Sequence, residues 1–226
     1  MTRALNIAHR GFTKNFPDNT LEAFQAAIDI GVDGIEFDVH ETADQQFVVF
    51  HDFELQGTKI RQLTLAQIAE VRLKDKYRLP TLVETLDLIG NRVKPLIEVK
   101  AARSLDRLLQ LIRTKVGVDD ITIASFNQKL VLKFSELAPE IRRGIITAFP
   151  VEDPIALTQP VHADLIMMML PLATSELVNR IHQNNLLVYA WYCAGLSDVQ
   201  KALKLNLDGI ISDTPDIVIK EQSVKP

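Results

Sequence analysis

Short runs of uninterrupted apolar residues alternate, over almost the whole chain, with longer stretches in which apolar positions recur every three or four residues. The short runs predict strands at Leu5–Ala8, Gly34–Asp38, Leu96–Val99, Ile121–Ser125, Gly144–Thr147, Asp164–Met168, Leu187–Trp191 and Gly209–Ser212. Being apolar throughout, they suit a parallel sheet with both faces buried. The longer stretches predict helices. Asn19-Thr20-Leu21-Glu22 reads as a capping box opening a helix through about Ile30, and Thr81-Leu82-Val83-Glu84 opens another ending near Gly90. Further helices are predicted over Ser104–Lys115, Lys129–Leu137, Ser175–Asn184 and Ser197–Leu205. Eight parallel strands joined by helices predict an α/β fold, a closed (β/α)8 TIM barrel. An open doubly wound sheet is the alternative, but the glycine-rich dinucleotide fingerprint that would favour it is absent.

One segment breaks the alternation. Phe47-Val48-Val49-Phe50 follows the second strand with no room for a helix, which excludes a parallel crossover and predicts an antiparallel β-hairpin. A turn centred on Asp44-Gln45 sets His51 opposite Asp38 and returns it to the barrel mouth. An extra helical excursion is expected from about Thr64 to Lys76. The expected organisation is one barrel domain over residues 1–226, with a small insertion at about 52–78.

Composition narrows the setting. With 226 residues, 47% of them hydrophobic, the chain can fill one large core. Lys and Arg total 25 against 29 Asp and Glu, a net charge of -4, and no basic tract suggests nucleic acid. An anionic substrate would need a metal or a few local cations to attract it. The lone Cys193 excludes an intrachain disulfide and fits a reducing compartment. No apolar stretch resembles a signal peptide or spans a bilayer, so a cytoplasmic location without stable membrane insertion is expected. Oligomeric state is not encoded in these patterns.

The chemistry gathers at strand ends: His9-Arg10, Glu36-x-Asp38, His51-Asp52 and Glu98-x-Lys100. Alternation puts Glu36 and Asp38 on one face, and in a barrel the inward face near the C-terminal strand ends is the mouth. A lone Glu-x-Asp is better explained as the ion-pair partner of Arg10 and Lys100. Glu98 at the equivalent point of the next barrel strand tips the reading to a metal, because three converging carboxylates repel without a cation or proton. Oxygen-only ligands favour one divalent cation, Mg2+ or Ca2+. His9 and His51 flank the cluster as an acid/base pair. Arg10 and Lys100 suit phosphate oxygens. Phe126 and Trp191 stand at strand ends where they either line the mouth or pack in the core; Trp191 is counted with the substrate-binding residues. Gly11 permits a sharp bend after Arg10. His40, His162 and His182 are expected on the surface or in loops, Met167, Met168 and Met169 in the core, and Asp213 as a cap of the helix after Thr214-Pro215 rather than in the mouth.

At this point the chain resembles the glycerophosphodiester phosphodiesterase family. The resemblance rests on Ala8-His9-Arg10-Gly11, Pro17-Asp18-Asn19-Thr20-Leu21-Glu22-Ala23-Phe24, Ile35-Glu36-Phe37-Asp38-Val39 and Val48-Val49-Phe50-His51-Asp52. It continues through Leu79-Pro80-Thr81-Leu82, Ile97-Glu98-Val99-Lys100, Ser125-Phe126 and Asp208-Gly209-Ile210-Ile211-Ser212-Asp213-Thr214-Pro215. These stretches run in family order over nearly the whole chain. The resemblance implies a TIM-barrel phosphodiesterase with a small inserted element after the second histidine. It implies a divalent cation on Glu36, Asp38 and Glu98, catalysis by His9 and His51, and phosphate contacts from Arg10 and Lys100. The implied reaction releases sn-glycerol 3-phosphate and an alcohol from a small-molecule phosphodiester. Three departures stand out: Asp18 where the family has Glu, Gln56-Gly57-Thr58 where it carries an insertion-side arginine, and Trp191-Tyr192-Cys193-Ala194 where it has a Thr-x-Asn pattern. Two other readings are a lysophospholipase D accepting one acyl chain near Phe126, Trp191 and Met167–Met169, and a non-catalytic barrel that binds a phosphoester.

Overall fold

Eight parallel strands close on themselves in a computed structural model that describes residues 3–223. The strands of the chain are β1 (Leu5–His9), β2 (Gly34–Glu41), β3 (Phe47–Val49), β4 (Glu54–Leu55), β5 (Thr58–Lys59), β6 (Lys94–Ala101), β7 (Thr122–Ser125), β8 (Arg142–Thr147), β9 (Leu165–Met169), β10 (Leu187–Cys193) and β11 (Gly209–Ser212). The wall runs β1-β2-β6-β7-β8-β9-β10-β11 and closes where β11 pairs with β1. The helices are α1 (Leu21–Asp29), α2 (Leu65–Ala69), α3 (Leu82–Ile89), α4 (Leu105–Lys115), α5 (Gln128–Leu137), α6 (Ser175–Gln183), α7 (Leu196–Leu203) and α8 (Pro215–Ser223). This is the TIM barrel expected from the pattern. Among the described residues, β8 and β9 are joined without an α-helix, by a 3-10 turn at Gln159–Val161.

The strands are apolar on both sides because both sides are packed. Ile7, Leu96, Ile146, Met167 and Ile211 fill the barrel interior. Ala8, Ile35, Phe37 and Ile97 face outward against helices. At the N-terminal rim, aspartates stitch neighbouring strands together. The backbone amide of Asn6 donates to Asp33, that of Arg143 to Asp164, and that of Val188 to Asp208, over 2.7, 3.1 and 2.8 Å. His182, expected on the surface or in a loop, is tied to this rim by its Nε2, 2.9 Å from Asp208.

The hairpin forms, with a register different from the expected one. Val39 pairs with Val49 and Glu41 with Phe47. The amide of Phe50 donates to the carbonyl of Asp38, so Phe50 rather than His51 lies opposite Asp38. The loop between Thr42 and Gln46 has three residues, with Gln45 left-handed at φ 58°. An odd loop moves the pairing by one residue, and a left-handed third residue is the usual way to close such a loop. The insertion is also less helical than expected. Its helix covers only Leu65–Ala69, closed by a capping box between Thr64 and Gln67, and the small β4–β5 ribbon precedes it. Val48, Leu55, Ile60, Ile68 and Leu79 form the core of this part.

Candidate active site

Strand pairing brings the ionisable groups together. The register sets His9 beside Glu36 and Asp38 beside Glu98. Glu36 and Asp38 face the mouth while Phe37, between them, is buried in the outer core. After His9 the chain turns at once: Arg10 has φ 56° and Gly11 φ 92°. A Cβ on Gly11 would lie 2.8 Å from the Ala23 backbone, so only glycine lets this turn sit on α1. The turn delivers the Arg10 side chain to the acidic cluster.

One oxygen from each of Glu36, Asp38 and Glu98 lies within 4.8 Å of the others, and all three residues are buried. Two cations hold the cluster. Lys100 Nζ is 2.7 Å from Glu98 Oε1 and 3.1 Å from Asp38 Oδ1, and Arg10 Nε is 3.2 Å from Asp38 Oδ2. Burial, followed by repulsion from Asp38 and Glu98, pushes Glu36 well above the ordinary carboxyl range. Burial and Asp38 push Glu98 up to about 7. Burial also opposes ionisation of Asp38, but Lys100, Arg10 and the Asn19 amide outweigh it and hold this carboxyl below its ordinary value. Asp38 Oδ1 is nonetheless buried without a well-directed hydrogen bond. An oxygen-only cluster that cannot ionise fully by itself fits a divalent cation.

The histidines flank this cluster. His9 Nδ1 is 2.6 Å from Asp213 Oδ1, which leaves Nε2 on the cluster side, 4.0 Å from Glu36 Oε2. Asp213 is therefore in the mouth as the partner of His9, not the helix cap expected for it; Ser212 Oγ accepts the amide of Thr214 instead. His51 Nδ1 is 2.7 Å from Asp52 Oδ1. Both histidines line one cavity of about 90 Å3 together with Arg10, Glu36, Glu98 and Lys100. Its apolar wall includes Ile146, Met167, Phe126 and Trp191. The expectation that Met167 is core holds, but this residue is also floor. Trp191 Nε1 is buried with no partner, an unused donor on the cavity wall. Tyr192 stacks on His9, with ring centroids 6.2 Å apart.

Two further residues support the site that the sequence reading placed elsewhere. Asn19 does not cap α1; Thr20 does, accepting the amide of Ala23. Asn19 instead donates to Asp38 Oδ2 at 2.8 Å and accepts the Asp38 amide at 3.3 Å. His40 is buried, not on the surface. Burial lowers its pKa to about 4, and its Nε2 lies 3.4 Å from the carbonyl of His51. Asn19 has a signal in Asp-Asn-Thr-Leu-Glu, where Thr20 suffices as cap and leaves the Asn spare. His40 has one too, two residues beyond Asp38 on the same strand face.

The model of the glycerophosphoryl diester phosphodiesterase family matches residues 9–217. The chain belongs to that family. Similar members include a glycerophosphodiester phosphodiesterase of Caldanaerobacter subterraneus subsp. tengcongensis, 30% identical over 96% of this chain and 97% of the relative. Another, of Bacillus altitudinis, is 26% identical over 95% and 96%. An Oleispira antarctica phosphodiesterase, solved in complex with the product sn-glycerol-3-phosphate, has the same fold. Its TM-score is 0.89 at 21% identity, over 99% of this chain and 97% of that one.

Proposed function

We propose that the protein hydrolyses glycerophosphodiesters to sn-glycerol 3-phosphate and an alcohol, with one divalent cation, Mg2+ or Ca2+, on Glu36, Asp38 and Glu98. The observation that carries this reading is the facing of two carboxylate-bound histidines across a buried three-carboxylate cluster, in a chain of this family. With the proton of each ring held on Nδ1 by Asp213 or Asp52, each Nε2 is free to take or give a proton. One histidine removes the proton of the attacking hydroxyl as its oxygen bonds to phosphorus. The other protonates the alcohol oxygen as its bond to phosphorus breaks, so the proton count balances. Arg10 and Lys100 hold phosphate oxygens, and Trp191 Nε1 offers a donor to a substrate oxygen. The cation, when bound, supplies positive charge that offsets the phosphate and makes a nearby hydroxyl more acidic. A cytoplasmic setting belongs to the same reading, supported by a lone buried cysteine. Among the described residues no helix is long and apolar enough to cross a membrane.

Hydrolysis of glycerophosphocholine, glycerophosphoethanolamine and glycerophosphoglycerol, with sn-glycerol 3-phosphate identified as product, tests the reading. Chelation abolishes turnover and Mg2+ or Ca2+ restores it. His9→Ala, His51→Ala and Asp213→Asn each lower kcat, by about 10²-fold or more for the histidines. Turnover that survives complete chelation or His9→Ala overturns the mechanism.

A further inference from the structure

A diester has two arms, and the site has two cavities that share His9, Arg10 and Trp191. The inner cavity is closed below by Ile146, Met167 and Ile211. The outer one is an open vestibule of about 590 Å3 whose wall adds Phe16, Asp18, Lys74, Tyr192 and Asp213. A phosphate held at the shared residues sends one arm into each. The smaller, more enclosed cavity suits the glycerol that every such substrate carries, and the more open vestibule suits the alcohol that varies.

The charges of the vestibule are not equivalent. Asp213 is bound to His9, and Asp18 Oδ2 is 3.2 Å from Arg10. Arg10, 3.2 Å from both Asp18 and Asp38, belongs to the phosphate end of the vestibule rather than to its outer wall. Lys74, among the described residues, has no carboxylate within ion-pair distance. Lys74 is exposed, but the backbone that carries it is held. It stands at the tip of a tight turn closed by reciprocal backbone bonds between Leu73 and Tyr77, of 2.8 and 2.9 Å. Lys74 and Asp75 are both left-handed, at φ 48° and 57°, a conformation that costs a non-glycine residue energy and persists only where the surroundings hold it. Leu73 packs against the insertion core, and Tyr77 meets Phe16 edge-on at 6.2 Å, which fixes the turn to the vestibule wall.

We infer that the vestibule is an alcohol subsite in which Lys74 selects glycerophosphodiesters whose leaving alcohol carries an anionic group. This rests on the proposed hydrolysis and names its substrate class. The test compares kcat/KM for glycerophosphoglycerol, for glycerophosphoglycerol bearing a phosphate on its leaving glycerol, and for glycerophosphocholine. The wild type prefers the anionic alcohol, and the preference weakens as salt is raised. Lys74→Gln lowers the anionic-to-neutral ratio by about tenfold, the weight of one unit charge a few ångströms away in a solvated site, and Lys74→Glu lowers it further and raises the choline ester relative to both. Lys74→Asn, which tolerates the left-handed backbone, reproduces the Gln result and separates charge from turn strain. Hydrolysis of all three esters with ratios indifferent to residue 74 overturns the inference and leaves the proposed activity standing. No hydrolysis of any of them overturns both.

Discussion

At the scale of single residues, His9, His51 and Asp38 each have one side of the side chain already committed to a neighbour. Asn19 shows what this is for. It both donates to Asp38 Oδ2 and accepts the Asp38 amide, so it fixes the rotation of one predicted cation ligand. Its own φ of 55° makes glycine the replacement that preserves the backbone. Asn19→Gly is expected to weaken Mg2+ or Ca2+ binding, read by calorimetry, by about 10- to 100-fold, the usual weight of a partner that orients a metal ligand. Cys193 represents the opposite case. It is buried, and burial pushes its thiol up to about 12, so it serves as a reporter: alkylation at neutral pH is expected to proceed only as fast as the fold opens.

At the scale of elements, loops after the strands are held by carboxylates of neighbouring strands. Glu41, at the end of β2, is buried and accepts from the amide and hydroxyl of Ser104 and from the amide of Arg103, where α4 begins. Burial resists its ionisation, but those backbone donors outweigh it and keep its pKa below the ordinary value. A carboxyl lowered on folding stabilises the protein above its unfolded pKa, and that stabilisation is lost as pH falls through the folded value. Glu41→Gln should therefore lower urea stability near pH 7 by about 1.5–3 kcal/mol. The loss should shrink as pH falls below the ordinary carboxyl value, where the unfolded chain takes up this proton before the folded protein does. The elements themselves were legible in the sequence, since strands packed on both sides must be apolar throughout and Thr81 and Thr64 announce their helices. What was not legible depends on angles rather than patterns. A three-residue turn moved the hairpin register by one, and nothing in Asp44-Gln45 declares a left-handed third residue as a glycine would. The local signal at Asp213, an Asp before Thr-Pro, is a capping signal. Its partner His9 lies 204 positions away in sequence, a distance no local pattern spans. The site residues His9, Arg10, Glu36, His51, Glu98, Lys100 and Trp191 nonetheless line one cavity, because strand ends of a closed barrel can only meet at its mouth.

At the scale of the whole molecule, the two rims divide the work. The clustered carboxylates of the mouth face a cavity and one another, whereas Asp33, Asp164 and Asp208 of the N-terminal rim line no part of that cavity and accept backbone amides of neighbouring strands. Asp208→Ala removes the acceptor of the Val188 amide and of His182, and should cost about 1–3 kcal/mol in a urea titration while leaving KM and kcat for glycerophosphocholine unchanged. A fall in kcat with unchanged stability would count against this division. The ionisable groups of the mouth are likewise confined: they come from β1, β2, the hairpin, β6 and the end of β11, a contiguous arc of the wall. The connection without a helix, between β8 and β9, lies outside that arc. Arg3 and Gln222 meet at 2.9 Å, so the first and last described turns of chain touch. Joining them with a short linker and opening the polypeptide between β8 and β9 would give a permuted protein that begins at β9 and ends at β8, with the arc of ionisable strand ends in its middle and the linker crossing it between β11 and β1.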